Sequence, residues 1–166
     1  MKYNLDSSFA GLDELKRTHA AQIAAFESWA ASDNWQTFHS SHYDWWTFPI
    51  DRPSRLGVKW TVYAGEVAAL KQDPAFITRY LRGVELAALA WGWDLARQAY
   101  IPAPKPGQTW HHWPIRLYKM AQSLRLFGFE TQFASLKRYA LDLIQQGHDM
   151  EYNGKDLSRL FTVRDS

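Results

Sequence analysis

Hydrophobic residues recur every three or four positions along five stretches of the chain, the spacing of amphipathic helices. The first stretch begins at Leu12, with Asp13 and Glu14 in the first turn, where acidic side chains suit the helix dipole. The other four predict helices over residues 60–72, 74–100, 114–127 and 131–146, and residues 156–161 fit one further helical turn. Strand signals are nearly absent.

Local signals mark several helix ends. Asp73 followed by Pro74 is typical of an N-cap and a first helical residue, and Gly128 is typical of a helix stop. Because only a few residues separate Gly128 from the next helix, these two helices are predicted to form an antiparallel pair. Gly83 and Gly92 fall inside a predicted helix, which favours close approach of a neighbouring helix there.

Two stretches break the helical spacing. Residues 35–57 contain two prolines and six aromatic residues, and residues 101–107 contain three prolines. A segment as apolar as the first is expected to fold down onto the core, since it would otherwise expose a large hydrophobic patch. The prediction is an all-α fold: a single helical domain spanning residues 1–166, an irregular bundle of about five helices with long aromatic- and Pro-rich loops.

Composition narrows the classes of function. The chain has 166 residues, 46% hydrophobic and 22% charged, which is typical of a globular domain. It has no cysteine, which excludes disulfides, thiolate metal sites and thiol nucleophiles. The longest stretches without a charge are ten residues, too short to span a membrane, and the N-terminus has no apolar signal core. These features predict a cytoplasmic protein that does not enter the membrane.

The basic charge is concentrated in one part of the sequence. Residues 105–140 carry six basic side chains and one acidic one, although the whole chain has a net charge of only +2. Such an excess favours an anionic ligand or an acidic peptide. No run of five like charges is present, which argues against a nucleic-acid partner.

The sequence contains no phosphate-binding glycine loop, nucleophile elbow or zinc-helix motif. His39, His42 and Asp44 have a spacing that could hold a metal ion on a helix, with His111 and His112 elsewhere in the chain. Because these segments read as loops, neither a metal nor a cofactor is predicted.

Four tryptophans lie in the loops beside histidine and arginine, where an indole ring can form the wall of a ligand pocket: Trp45, Trp46, Trp110 and Trp113. The leading hypothesis is therefore a non-catalytic binding domain whose two loops converge on an anionic ligand, a peptide or a protein partner. An alternative left open is that the loops simply close the ends of the bundle. The predicted ligand-binding residues are His42, Trp45, Trp46, Arg52, Trp110, His112 and Arg116.

Two further arrangements remain open. His42 and Asp44 would suit a small enzyme, because a carboxylate can orient an imidazole for acid–base chemistry. A homodimer could instead hide the tryptophan-rich loops between its subunits.

Two blocks of sequence resemble a known family. The segment from His42 to Pro49, HYDWWTFP, is similar to the His and Trp-x-Phe-Pro signature of the opioid growth factor receptor conserved region. The segment from His112 to Glu130 resembles the second block of that family, and the similarity extends over about residues 39–146. The resemblance implies an all-helical domain without catalytic residues.

Overall fold

The predicted all-α architecture is confirmed in the computed structural model, which describes residues 1–163. Within this part of the chain lie seven helices and two minimal β-hairpins. Five of the helices are eight residues or longer, in line with the five predicted from hydrophobic spacing. The helices are α1 (Leu12–Ala31), α2 (Trp35–Ser40), α3 (Ala64–Lys71), α4 (Pro74–Ala90), α5 (Pro114–Phe127), α6 (Glu130–Gln145) and α7 (Arg159–Thr162). The hairpins pair β1 (Trp93–Asp94) with β2 (Ala99–Tyr100), and β3 (Glu151–Tyr152) with β4 (Lys155–Asp156).

The core of the bundle contains the contact between α1 and α4. Ile23 and Phe26 of α1 are buried there. A Cβ built on Gly83 of α4 would lie only 2.6 Å from Ile23 Cδ1, so the close approach predicted at this glycine is confirmed. Helices α5 and α6 also pack against each other, across a short turn in which Gly128 adopts a left-handed conformation.

The helix predicted over residues 60–72 begins four residues later than expected. Helix α3 starts at Ala64, after a turn at residues 58–60, an extended Tyr63, and a Val62 amide that donates to the Ile50 carbonyl at 3.0 Å. The Glu66 carboxylate explains the boundary, because it accepts hydrogen bonds from the backbone amides of Tyr63 and Asn4. Because Glu66 lies in the first turn of α3, these two hydrogen bonds hold that turn against the residues that precede the helix.

The helix predicted over residues 74–100 ends ten residues early, at Ala90. Gly92 has a φ of 79°, a left-handed conformation that ends the helical hydrogen-bond pattern. The chain then turns back on itself in the β1–β2 hairpin, where Trp93 pairs with Tyr100. This hairpin buries Trp93, whereas Leu95 is half-buried and Tyr100 is 47% exposed.

The aromatic segment after α1 lies on the core, as predicted. Its first residues form helix α2 rather than an irregular loop, and residues 41–57 form a loop, which we call the aromatic loop. Tyr43 and Phe48 of this loop are completely or almost completely buried. In residues 1–163, no helix combines the length and hydropathy needed to cross a membrane.

Candidate functional site

The aromatic loop, the start of α5 and the β3–β4 hairpin with α7 enclose a cavity of about 660 Å³. Pockets that bind small molecules have volumes of about 300–1,000 Å³. Six basic and two acidic residues line the cavity, which we call the basic cavity. They are Arg52, Arg55, Arg116, Lys119, Lys155 and Arg159, with Asp44 and Asp156.

Two of the six cations are bound by an acidic residue of the protein itself. The Lys119 ammonium lies 3.2 Å from Asp44 Oδ2, and Arg116 Nε lies 3.9 Å from Asp44 Oδ1. All three side chains are buried, so water weakens their attraction much less than it would at the surface. This cluster joins the aromatic loop to α5.

Arg116 also holds the end of α2 in place. Its two terminal nitrogens donate to the carbonyls of His39 and Ser41, each at 2.7 Å. The guanidinium carbon lies 4.6 Å from the centre of the Tyr43 ring and 5.2 Å from that of Trp113. Burial raises the pKa of Tyr43 to about 12, so this phenol stays neutral beside the cation. Arg116 therefore organises one wall of the cavity.

The other four cations are exposed at the edge of the cavity. Arg52, Arg55, Lys155 and Arg159 take part in no ion pair with any residue in the range 1–163. Asp156 also lines the cavity, and hydrogen bonds from the Ser158 hydroxyl and amide, with a smaller contribution from the Arg159 charge, lower the pKa of this carboxyl group. The cavity thus keeps a net positive charge after its internal ion pairs are counted.

Aromatic rings supply flat walls to the same cavity. The Trp45 ring is half-buried and stacks on His42, with 6.1 Å between ring centres and 14° between planes. Trp113 is 38% exposed, which is unusual for so large an apolar side chain. The cavity therefore combines exposed cations with two indole rings.

Four of the seven predicted site residues line this cavity: His42, Trp45, Arg52 and Arg116. Trp46 lies outside it. Its indole N–H donates to the side chain of Gln22 at 3.2 Å, and its ring packs edge-on against Trp60. Trp46 therefore joins the aromatic loop to α1.

Trp110 and His112 line a different cavity, of about 370 Å³, which we call the aromatic groove. Trp110 is 6% exposed and packs against Trp91. The His112 ring lies 5.3 Å from that of His148, and its backbone is left-handed, with a φ of 59°. No lysine or arginine from residues 1–163 lines the aromatic groove, so the two cavities differ in charge.

The histidines considered as metal ligands point to different partners. His39 Nε2 lies 2.8 Å from the Gly107 carbonyl, and its ring stacks on His111 at 4.6 Å. Burial lowers the pKa of His39, which keeps this imidazole neutral. His42 stacks on Trp45 instead, and no group of three or more potential metal ligands is found in residues 1–163.

Three of the six basic residues that line the basic cavity were not identified from the sequence: Arg55, Lys155 and Arg159. Lys119 was part of the basic segment at residues 105–140, and Trp113 was among the loop tryptophans. Lys155 and Arg159, in contrast, lie in a C-terminal segment with more acidic than basic residues. Only the packing of the β3–β4 hairpin and α7 brings them beside Arg52 and Arg55.

Comparisons with known proteins return no matching family model, curated protein or solved structure. The resemblance to the opioid growth factor receptor conserved region therefore stays a prediction.

Proposed function

We propose that this protein is a non-catalytic binding domain that takes an anionic ligand in the basic cavity. The observation that carries the proposal is the set of four exposed cations, Arg52, Arg55, Lys155 and Arg159, that face one cavity without an ion-pair partner in residues 1–163. Like charges gathered along one cleft repel one another, and a bound anion relieves that repulsion. Arginine side chains also suit phosphate and carboxylate groups, because they can donate two parallel hydrogen bonds.

Binding is favoured over catalysis because the proposed acid–base pair is not joined. His42 and Asp44 both line the cavity, but no hydrogen bond links them in the part of the chain that is described. The Asp44 carboxylate lies against Lys119 and Arg116 instead. A carboxylate held by two cations is poorly placed to orient the imidazole of a general base.

A titration with inorganic phosphate tests this proposal. Isothermal titration calorimetry on the full chain should show binding that weakens as the salt concentration rises, because salt screens exposed charges. The Arg52→Gln and Lys155→Gln variants should each weaken phosphate binding by about tenfold, the effect of losing roughly 1.4 kcal/mol. Arg138→Gln is the matched control, since Arg138 is an exposed arginine of α6 outside both cavities.

Three results would count against the proposal. The first is the absence of phosphate binding at low salt. The second is binding that Arg52→Gln and Arg138→Gln weaken equally, which would indicate general attraction to a basic protein. The third is turnover of a phosphate ester that depends on His42, which would favour the enzyme alternative.

A cytoplasmic location and a homodimeric state also stay predictions. Cell fractionation tests the first, and light scattering of the purified chain tests the second.

A further inference from the structure

We infer that the ligand of the basic cavity is a phosphate ester that carries one planar aromatic ring, the chemistry of a mononucleotide. This inference rests on the proposed function, because it names the class of anion that the same cavity would bind. Three features of the cavity lead to it: its volume, its two indole walls, and the separation of charge between its edge and its interior.

The volume is too large for a bare anion. At about 660 Å³ the cavity lies well inside the range of about 300–1,000 Å³ that is typical of pockets for whole organic ligands. An inorganic phosphate would leave most of that space filled with water. A ligand that excludes water from the cavity must therefore attach an organic group of considerable size to the anion.

The indole walls indicate that this group is flat. A flat group that stacks on Trp113 would cover the exposed surface of this side chain. The Arg116 guanidinium lies 5.2 Å from the centre of the Trp113 ring and helps to hold the ring in position. Arg116 is itself fixed by two carbonyls, so the ring needs little ordering when a ligand stacks on it. The second indole, Trp45, is half-buried and has the nearly parallel ring of the exposed His42 at 6.1 Å between ring centres.

The distribution of charge places the phosphate at the edge of the cavity. The unpaired cations Arg52, Arg55, Lys155 and Arg159 are exposed, whereas the buried cations Arg116 and Lys119 are held by Asp44. A ligand with its anionic end at the edge and its ring among the indoles matches both regions. Free nucleosides lack the first contact, and sugar phosphates lack the second.

Calorimetry with four probes separates the contributions: inorganic phosphate, ribose 5-phosphate, adenosine and AMP. We expect AMP to bind at least about tenfold more tightly than ribose 5-phosphate, in keeping with the stacking of bases on aromatic side chains. The Trp113→Leu variant should bring the two affinities close together and leave ribose 5-phosphate binding unchanged. Trp29→Leu is the matched control, because Trp29 is a half-buried tryptophan of α1 outside both cavities.

The outcomes distinguish this inference from the proposed function. Equal affinities for AMP and ribose 5-phosphate, both lowered by Arg52→Gln, would overturn the aromatic ligand and keep the anion site. If no phosphate compound binds, the proposed anion-binding function and the inferred aromatic ligand are both refuted. Tighter binding of a single-stranded oligonucleotide than of AMP would also overturn the inference, since it would point to a polymer. If Trp113→Leu unfolds the chain, Trp45→Leu is judged by the same ratio of affinities.

Discussion

Replacing Asp44 with asparagine is the most direct test of how the basic cavity is built. The substitution preserves the size of the side chain but removes the negative charge that Lys119 and Arg116 share. Arg116 keeps its two carbonyl partners, whereas Lys119 loses the only carboxylate paired with it in residues 1–163. The Asp44→Asn variant should therefore leave a buried ammonium group without a counter-charge.

The cost follows from the burial of the pair. Removing one partner of a buried ion pair typically costs about 3–5 kcal/mol. The side chains of Asp44 and Lys119 are 12% and 9% exposed, so some water reaches them and the lower end applies. A loss of about 3 kcal/mol lowers the melting temperature of a chain this long by roughly 6–12 °C.

Urea unfolding followed by tryptophan fluorescence measures this loss, and a second substitution confirms its origin. Lys119→Met removes the stranded cation at similar volume, so the double variant should be at least about 1 kcal/mol more stable than Asp44→Asn alone. Glu14→Gln is the control, because its ion pair with Arg17 is exposed and such pairs contribute less than about 1 kcal/mol. A cost below about 1 kcal/mol for Asp44→Asn, or no recovery in the double variant, would refute the reasoning.

The same substitution should have the opposite effect on binding. Without the Asp44 carboxylate, Lys119 becomes free to attract an anion in the cavity that it lines. Asp44→Asn should therefore bind inorganic phosphate more tightly than the unaltered chain while being less stable. Equal loss of stability and of phosphate binding would instead show that Asp44 only maintains the shape of the site.

Two further predictions concern the fold. Gly92→Ala should lower the free energy of unfolding, measured in urea, by about 2–4 kcal/mol, because it combines left-handed strain with a Cβ only 2.9 Å from a backbone oxygen. Gly147→Ala has the same strain but open space around it, so it should cost only about 1 kcal/mol. Equal costs for the two variants would contradict the close contact at Gly92. Burial lowers the pKa of His19 to about 4, so the unfolded chain binds more protons below pH 6.5 and stability should fall by up to about 1.4 kcal/mol per pH unit between pH 6.5 and 4. The His19→Gln variant should lose most of this slope, and a slope that persists undiminished would assign it to another group such as His39, whose pKa burial also lowers.

Much of the helical framework could be predicted because it depends on local signals. Asp73 caps α4 by accepting the Phe76 amide at 3.1 Å, as its position before Pro74 suggested. Gly128 ends α5, and Gly83 admits a side chain of α1. In each case the side chain of the residue, or the lack of one, suits a particular position of a helix, so these features could be predicted from the local sequence.

The errors in the fold came from contacts between distant parts of the chain. Helix α3 starts late because the Glu66 carboxylate accepts hydrogen bonds from the nearby Tyr63 amide and from the distant Asn4 amide, and nothing near residue 60 indicates the second contact. Helix α4 ends early, at Ala90, two residues before the left-handed Gly92, which the sequence analysis placed inside a helix. A glycine can either continue a helix or end it, and the sequence did not indicate which applies to Gly92. The deciding contact is with the backbone of Gln108, which is distant in the chain.

The candidate site was predicted only in part, because it too depends on how distant segments of the chain pack together. The aromatic loop and the start of α5 do meet, which places Trp45 and Arg116 in one cavity. Trp46 and Trp110, one and three residues away from cavity-lining tryptophans, lie elsewhere. In irregular segments neighbouring side chains point in different directions, and no periodicity says which one faces a cavity.

The basic segment at residues 105–140, which favoured an anionic ligand, does not supply the exposed cations on which the proposed anion site depends. Of its six cations, only Arg116 and Lys119 line the basic cavity, and Asp44 lies against both. Their role is to join the aromatic loop to α5 and to position the indole of Trp113.

The unpaired charges come instead from the aromatic loop and from the C-terminal hairpin and helix. Those C-terminal elements are short, so they depend on the bundle for their position. Met150 and Phe161, which precede and follow Lys155 and Arg159 in the chain, are 4% and 2% exposed and form part of the core. The proposed anion site is therefore expected to depend on the packing of Met150 and Phe161, because loss of either apolar contact should displace Lys155 and Arg159 from the cavity without changing a charged residue.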